Sequence, residues 1–177
     1  MSGPDRGQEG FAEFVAARRP ALLRSAYLLT GNSHDAEDLV QTTLLRVVPH
    51  WSRIAAHPEP YVRRVLARES VTRWRGRRWR ERSVAQLPEH ADEEPRSERQ
   101  LLRDALTTLS PRQRAVLVLR YLDDLTEAAT AEALGISLGT VKSHARDGLA
   151  RLREQAPGLL IDERDPSPTA RTSGTRH

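Results

Sequence analysis

The apolar positions of this chain recur at helical spacing along most of its length. The clearest run is Ala36, Leu39, Val40, Thr43, Leu44, Val47, Val48 and Trp51, which follows the i, i+3, i+4, i+7 order of an amphipathic helix. Ahead of it, Phe11, Phe14 and Val15, then Leu22, Leu23 and Tyr27, repeat in the same way, and Pro20 predicts a break or restart between the two groups. "TGNSH", from Thr30 to His34, reads as a turn with a capping signal. "SRIAAHPEP" carries two prolines and reads as a loop, after which Tyr61, Val62, Val65 and Leu66 resume a helix to about Arg80.

A second helical block begins near Leu101, with Leu102, Ala105, Leu106 and Leu109 on one side. Ser110 and Pro111 have the N-cap and first-turn chemistry of a new helix, continued by Val116, Leu117, Leu119 and Tyr121. Thr126 caps a short helix to Leu134, Gly135 closes it, and a turn over residues 137–139 starts another. No stretch alternates with the period of a strand, and no segment repeats. Between the blocks, residues 83–98 ("SVAQLPEHADEEPRSE") hold Pro88, Pro95 and an acidic cluster of Glu89, Asp92, Glu93 and Glu94, the composition of a flexible linker. Residues 1–10 and 156–177 are polar and rich in Gly, Pro, Ser or Thr, which predicts ends without fixed structure. The expected fold is therefore all-α: two small helical domains, residues 11–82 and 99–155, joined by an acidic flexible linker, the second with a helix-turn-helix.

Composition narrows the function. The chain has 177 residues, 38% of them hydrophobic and 5% aromatic, so each core must be small and built from Leu, Val and Ala. It has no cysteine, which excludes disulfides and thiolate metal sites. No apolar run approaches a membrane span and the N-terminus lacks a signal peptide, so a cytoplasmic protein is expected. The six histidines show no metal-ligand spacing, no glycine loop matches a phosphate cradle, and no carboxylate pair stands out. No metal, cofactor or enzymatic chemistry is expected.

The net charge of +4 is less telling than where the cations sit. Residues 63–82 carry Arg63, Arg64, Arg68, Arg73, Arg75, Arg77, Arg78, Arg80 and Arg82 against Glu69 and Glu81, with Trp74 and Trp79 interleaved. Arginines neutralise phosphates and exposed indoles stack on unpaired bases. The tryptophans are equally compatible with a core role. A membrane surface is disfavoured, since residues 72–82 lack an apolar face. Near the other end, Val141, Ala145, Leu149 and Leu152 form one helical stripe, while Lys142, Ser143 and Arg146 lie on another side, with Thr140 at the helix start. Together with the preceding helix and Gly135, this is the spacing of a helix-turn-helix, whose second helix enters the major groove. A solvated bundle face is the alternative. Asp35, Glu37 and Asp38 open the clearest helix, where the helix dipole alone explains them.

Taken in order, "DAEDLVQTTLLRV" (35–47), "PYVRRVLARESVTRWRGRRWRE" (60–81) and "LSPRQRAVLVLRYLDDLTEAATAEALGISLGTVKSHARDGLARLRE" (109–154) resemble an RNA polymerase sigma factor of the extracytoplasmic-function class, in the sigma-70 superfamily. The resemblance implies two helical domains. The first, sigma region 2, binds the polymerase clamp and the promoter −10 element. The second, sigma region 4, binds the −35 element and the polymerase flap. It implies core RNA polymerase and promoter DNA as partners and allows an anti-sigma factor. It assigns Asp35, Glu37, Asp38, Leu39, Gln41 and Thr42 to polymerase binding. It places residues 53–60 at the loop that captures a flipped base, and Arg53, Tyr61, Arg64, Arg68, Arg73, Trp74, Arg77 and Arg78 at −10 DNA. Thr140, Lys142, Ser143, His144, Arg146 and Asp147 fall at −35 DNA. Arg68, where many relatives carry Asn, and Asp147, where close relatives often carry a basic residue, depart from the pattern. The runner-up is a helix-turn-helix regulator that is not a polymerase subunit; its C-terminal half would look alike, but residues 35–82 would be a receiver or ligand-binding domain.

Overall fold

A computed structural model describes the backbone of residues 5–81 and 97–156 and the side chains of residues 10–74 and 97–156. The expectations for the linker core, the far N-terminus and the tail lie outside the described residues. Among the described residues every regular element is helical: α1 (Asp5–Thr30), α2 (Ser33–Val47), a 3-10 turn (Val48–His50), α3 (Trp51–Ile54), α4 (Pro58–Glu81), α5 (Glu98–Thr107), α6 (Pro111–Leu117), a π turn (Val118–Leu122), α7 (Glu127–Leu134) and α8 (Leu138–Gln155).

Capping chemistry sets most of the boundaries. Asn32 stands in extended conformation before α2 and its side chain accepts from the Asp35 amide at 2.8 Å. Ser97 and Ser110 each form a reciprocal capping box, with Gln100 and Gln113. Thr126 caps α7 and Ser137 caps α8 through the amides of Ala129 and Thr140, both at 3.1 Å. Each such cap satisfies helix-end donors that would otherwise lack partners.

Two expectations from the prolines are corrected. Pro20 does not break the first helix: α1 runs through it from Asp5 to Thr30. Proline removes one amide donor, but burial on both sides of it holds the helix together. Leu22, Ala26, Leu28 and Leu29 are buried after it, and Phe11 and Phe14 pack on the Trp51 ring before it, at centroid distances of 5.1 and 5.3 Å. The stretch 52–60 is likewise not all loop. The buried Trp51 anchors α3, a short turn follows, and Pro58 and Pro60 sit in the first turn of α4, where a missing amide costs nothing.

The two sequence blocks pack against one another. One apolar cluster joins Leu22, Leu29, Leu39, Val62 and Leu66 to Leu106, Leu109, Ala115, Leu117 and Leu152, so the core runs across the linker. Arg114 stitches the seam. It is 4% exposed, and its guanidinium donates to the carbonyls of Leu29 at 2.8 Å, Thr107 at 3.1 Å and Leu109 at 3.3 Å. No carboxylate neutralises it in these bonds, and burial pushes its pKa down. Gly31, at φ +90°, lies where a Cβ would come within 2.9 Å of Thr107 Cγ2, so this turn requires glycine on both counts.

Candidate nucleic-acid interface

The helix-turn-helix is built from α7 and α8. Gly135 takes the left-handed conformation at φ 65°, ψ 41° that ends α7, and the Ser137 cap restarts the chain as α8. Val141, Gly148 and Leu152 are buried and Ala145 and Leu149 are half-buried, which fixes the inward side of α8. Gly148 has a packing reason: a Cβ there would stand 3.0 Å from Leu117 Cδ1, so α6 and α8 touch at this point. Lys142 and Arg146 face out, with side chains 60% and 79% exposed. Lys142 Nζ lies 3.7 Å from Glu127, and Arg146 Nε donates to Asp147 Oδ1 at 3.1 Å. Thr140 shares a 2.8 Å hydroxyl contact with Ser137, and Ser143 donates back to the Thr140 carbonyl at 3.1 Å. His144 is half-buried and so stands at the margin of this side rather than on it.

On α2, Glu37 and Gln41 are exposed and Asp38 and Thr42 half-buried. Asp35 is bonded to its own cap, accepting from Asn32 Nδ2 at 2.5 Å. Leu39 corrects the sequence assignment: it is 0% exposed and belongs to the core, so it holds α2 in place and offers no surface to a partner. The outer side of α2 instead presents Leu45, 68% exposed, and Val48, 48% exposed. Val48, read from the periodicity as a core position, turns outward because the α-helix tightens into the 3-10 turn there.

On and before α4, Arg53 is exposed, 3.4 Å from His50 Nδ1, and Tyr61 meets the His50 ring edge-on at 5.8 Å. Arg73 reaches back to Asp38 at 3.6 Å and to the Asp35 carbonyl at 3.4 Å, joining the arginine helix to the acidic start of α2. Trp74 is 36% exposed. The side chains of Arg77, Arg78 and Trp79 lie outside the described residues. Arg64 and Arg68, both assigned to DNA, are held by the second block. Arg64 Nη2 lies 2.6 Å from Glu132, and Arg68 donates to the carbonyls of Ala133 and Glu132.

The neighbouring Arg63, which the sequence reading left as one cation among many, is bonded to Glu59 at 2.6 Å and to Asp123. Asp123 also accepts from Ser25 Oγ at 2.9 Å. Burial pushes the Asp123 carboxyl above the usual carboxylate range despite Arg63 and Ser25, whereas Arg63, although burial opposes its charge, is raised by Glu59 and Asp123. The π turn creates this contact. Its wider ring, closed by the Asp123 amide on the Val118 carbonyl at 3.0 Å, delivers Asp123 toward α1 and α4. A π turn leaves no mark in hydrophobic periodicity, so nothing in the sequence signals this contact.

Two family signatures match the chain, one described as Sigma-70 region 2 over residues 14–80 and one as Sigma-70, region 4 over residues 99–152. The RNA polymerase sigma-E factors of Streptomyces avermitilis and Streptomyces coelicolor are each 42% identical to it over 159 residues, covering 87% of this chain and 89% and 90% of theirs. The ECF RNA polymerase sigma factor SigE of Mycolicibacterium smegmatis is 33% identical across 86% of this chain and 64% of its own length. In fold the chain is similar to the sigma factor RpoE of Bartonella quintana, solved in complex with the anti-sigma factor NepR. The TM-score is 0.65 at 24% identity, covering 86% of this chain and 98% of that one.

Proposed function

The chain belongs to the extracytoplasmic-function class of the sigma-70 family of RNA polymerase sigma factors, and from that membership we propose how its surfaces divide the work of starting transcription. It is a transcription initiation factor: it binds core RNA polymerase, carries it to promoters and assists their melting. It supplies binding and positioning, and the catalysis is the polymerase's. Its place of action is therefore wherever the polymerase is, in the cytoplasm; no described helix is long and apolar enough to cross a membrane.

In this reading the outer side of α2, with Glu37, Asp38, Gln41 and Thr42 beside Leu45 and Val48, docks on the polymerase clamp. The turn before α4 and the arginine side of α4 take the melted −10 element, with Trp74 as a stacking platform. The outward side of α8 reads the −35 element through Lys142, Ser143 and Arg146. A complex with an anti-sigma factor, as formed by the Bartonella quintana relative, is a proposal for this chain also.

The observation that carries the reading is the pairing of a helix-turn-helix, whose Arg146 side chain is 79% exposed, with a region 2 match on the preceding half of the same chain. A regulator that is not a polymerase subunit would account for the first and not the second. The test is reconstitution with core polymerase. Co-elution on gel filtration and discrete, promoter-dependent 5′ ends on genomic templates are expected. DNA binding without either result would favour the regulator.

A further inference from the structure

Resting on that reading, the contact between α4 and α7 bears on how the −10 surface is regulated. Ala67 of α4 is 0% exposed, packed with Leu119 of the π turn, 1% exposed, and Ala133 of α7, 2% exposed. The small side chains bring α7 close against α4. Three arginines surround this apolar contact, and each meets a negative group from the second block: Arg63 meets Asp123, Arg64 meets Glu132, and Arg68 meets the last carbonyls of α7. A helix C-terminus carries partial negative charge, and Arg pairs with carboxylates and phosphates by the same forked geometry. The end of α7 thus offers α4 the same kind of ligand as a nucleic-acid backbone. Arg64 and Arg68 belong to the −10 surface proposed above and cannot serve both at once.

We propose that the second unit masks the first in the free protein: α7 and the π turn occupy the −10 face of α4 as an intramolecular mimic of the DNA backbone, and the Ser25–Asp123–Arg63 contact latches them there. Promoter capture then requires the halves to part. If the open form is about one-tenth populated, the apparent affinity of this face for DNA is weakened about tenfold.

The chain has no cysteine, so Ala17→Cys in α1 and Ala128→Cys in α7, both at exposed positions, allow a donor–acceptor dye pair on the full-length protein. Energy transfer is measured without polymerase, and binding of a short fluorescein-labelled single-stranded oligonucleotide is measured by anisotropy. The variants are Glu132→Ala alone, Asp123→Ala with Glu132→Ala, and a charge-matched control, Glu13→Ala with Glu154→Ala. Glu132 has a side chain 64% exposed, so its single variant leaves the core intact. The expected result is lower energy transfer and about tenfold tighter binding for the opened double variant, a smaller change in the same direction for Glu132→Ala, neither for the control, and loss of the gain when Arg64→Ala is added. Unchanged energy transfer, or a gain no larger than the control's, overturns the mask. Halves that part without gaining DNA affinity overturn it too. Arg64→Ala in the reconstituted polymerase then separates the two readings: reduced open-complex formation leaves the −10 assignment standing, and no change removes that assignment as well.

Discussion

Arg114 donates to the carbonyl of Leu29 at 2.8 Å, so a cation from the second half of the chain closes the C-terminal end of a helix in the first. The bond accounts for why the two blocks share a core instead of hanging as separate beads. A helix C-terminus favours a cation, and this one is buried with carbonyl partners rather than a counter-ion.

Arg114→Ala is expected to destabilise the protein by about 2–3 kcal/mol, because the buried carbonyls lose their donor and a cavity replaces the guanidinium. Urea unfolding followed by circular dichroism reads this as a lower midpoint. Arg114→Lys keeps the charge but loses the fork and should fall between the two. An Ala variant as stable as the parent would mean that water replaces the guanidinium at no cost and that the seam is held by apolar contact alone.

Gly148→Ala tests the α6–α8 contact. In an open helix alanine would be favoured by about 1 kcal/mol over glycine. Here the new methyl would stand 3.0 Å from Leu117 Cδ1, and Leu117 is only 4% exposed, with little room to move. Overpacking of this kind costs about 1–3 kcal/mol, so the net change should be destabilising. Leu117→Ala added to Gly148→Ala should destabilise by less than the two single changes combined. A simple rise in melting temperature for Gly148→Ala would show that α6 and α8 are not in tight contact.

Much of this fold is legible in the sequence, and the reasons are physical. Ser110–Pro111, Thr126, Gly135 and Ser137 announce helix ends because caps are local chemistry, and the stripe from Ala36 to Val47 announces α2 because burial follows the helical period. Leu39 shows the period outranking family assignment: the stripe already placed it inward, and the core holds it there. The packing of one block on the other was not legible. Arg64, Arg68, Asp123 and Glu132 read as solvent- or DNA-facing charges, and only the approach of α7 to α4 turns them into partners. Pro20 misled because its local penalty is outweighed by apolar burial on either side of it.

On α2, Glu37→Arg should weaken binding to core polymerase without changing the melting temperature. Glu37 is exposed and near the helix start, so reversing its charge alters the surface and leaves the buried Ala36, Leu39 and Val40 untouched. Asp38→Arg should weaken it further, but part of that effect is internal, since Asp38 lies 3.6 Å from Arg73. Competition against labelled wild type for core polymerase measures both. Undiminished binding by Glu37→Arg would remove the acidic start of α2 from the docking surface.

The last prediction concerns Arg146 and Asp147. In the free protein Asp147 holds Arg146 by its Nε at 3.1 Å, which leaves the two terminal nitrogens of the guanidinium free of that bond. Those nitrogens have the spacing to donate together to guanine O6 and N7, the commonest specific contact in the major groove. Asp147 then acts in two ways: it fixes the direction of the fork, and it repels any phosphate that approaches. Arg146→Ala should cost about 1–3 kcal/mol at preferred −35 sequences and flatten the preference at one or two base pairs. Asp147→Ala should do something different. It should raise affinity for all sequences, by removing a negative charge near the backbone, while loosening discrimination at the same base pairs, because Arg146 is no longer aimed. Binding across a randomised −35 library at two salt concentrations separates these effects. A phosphate contact appears as a uniform loss and a shallower salt slope, and a base contact as a position-specific change with the slope nearly kept. If both variants lower affinity uniformly and leave the sequence profile of the wild type in place, Arg146 is a backbone contact, and the reading of bases must fall to Lys142 and Ser143, nearer the start of α8.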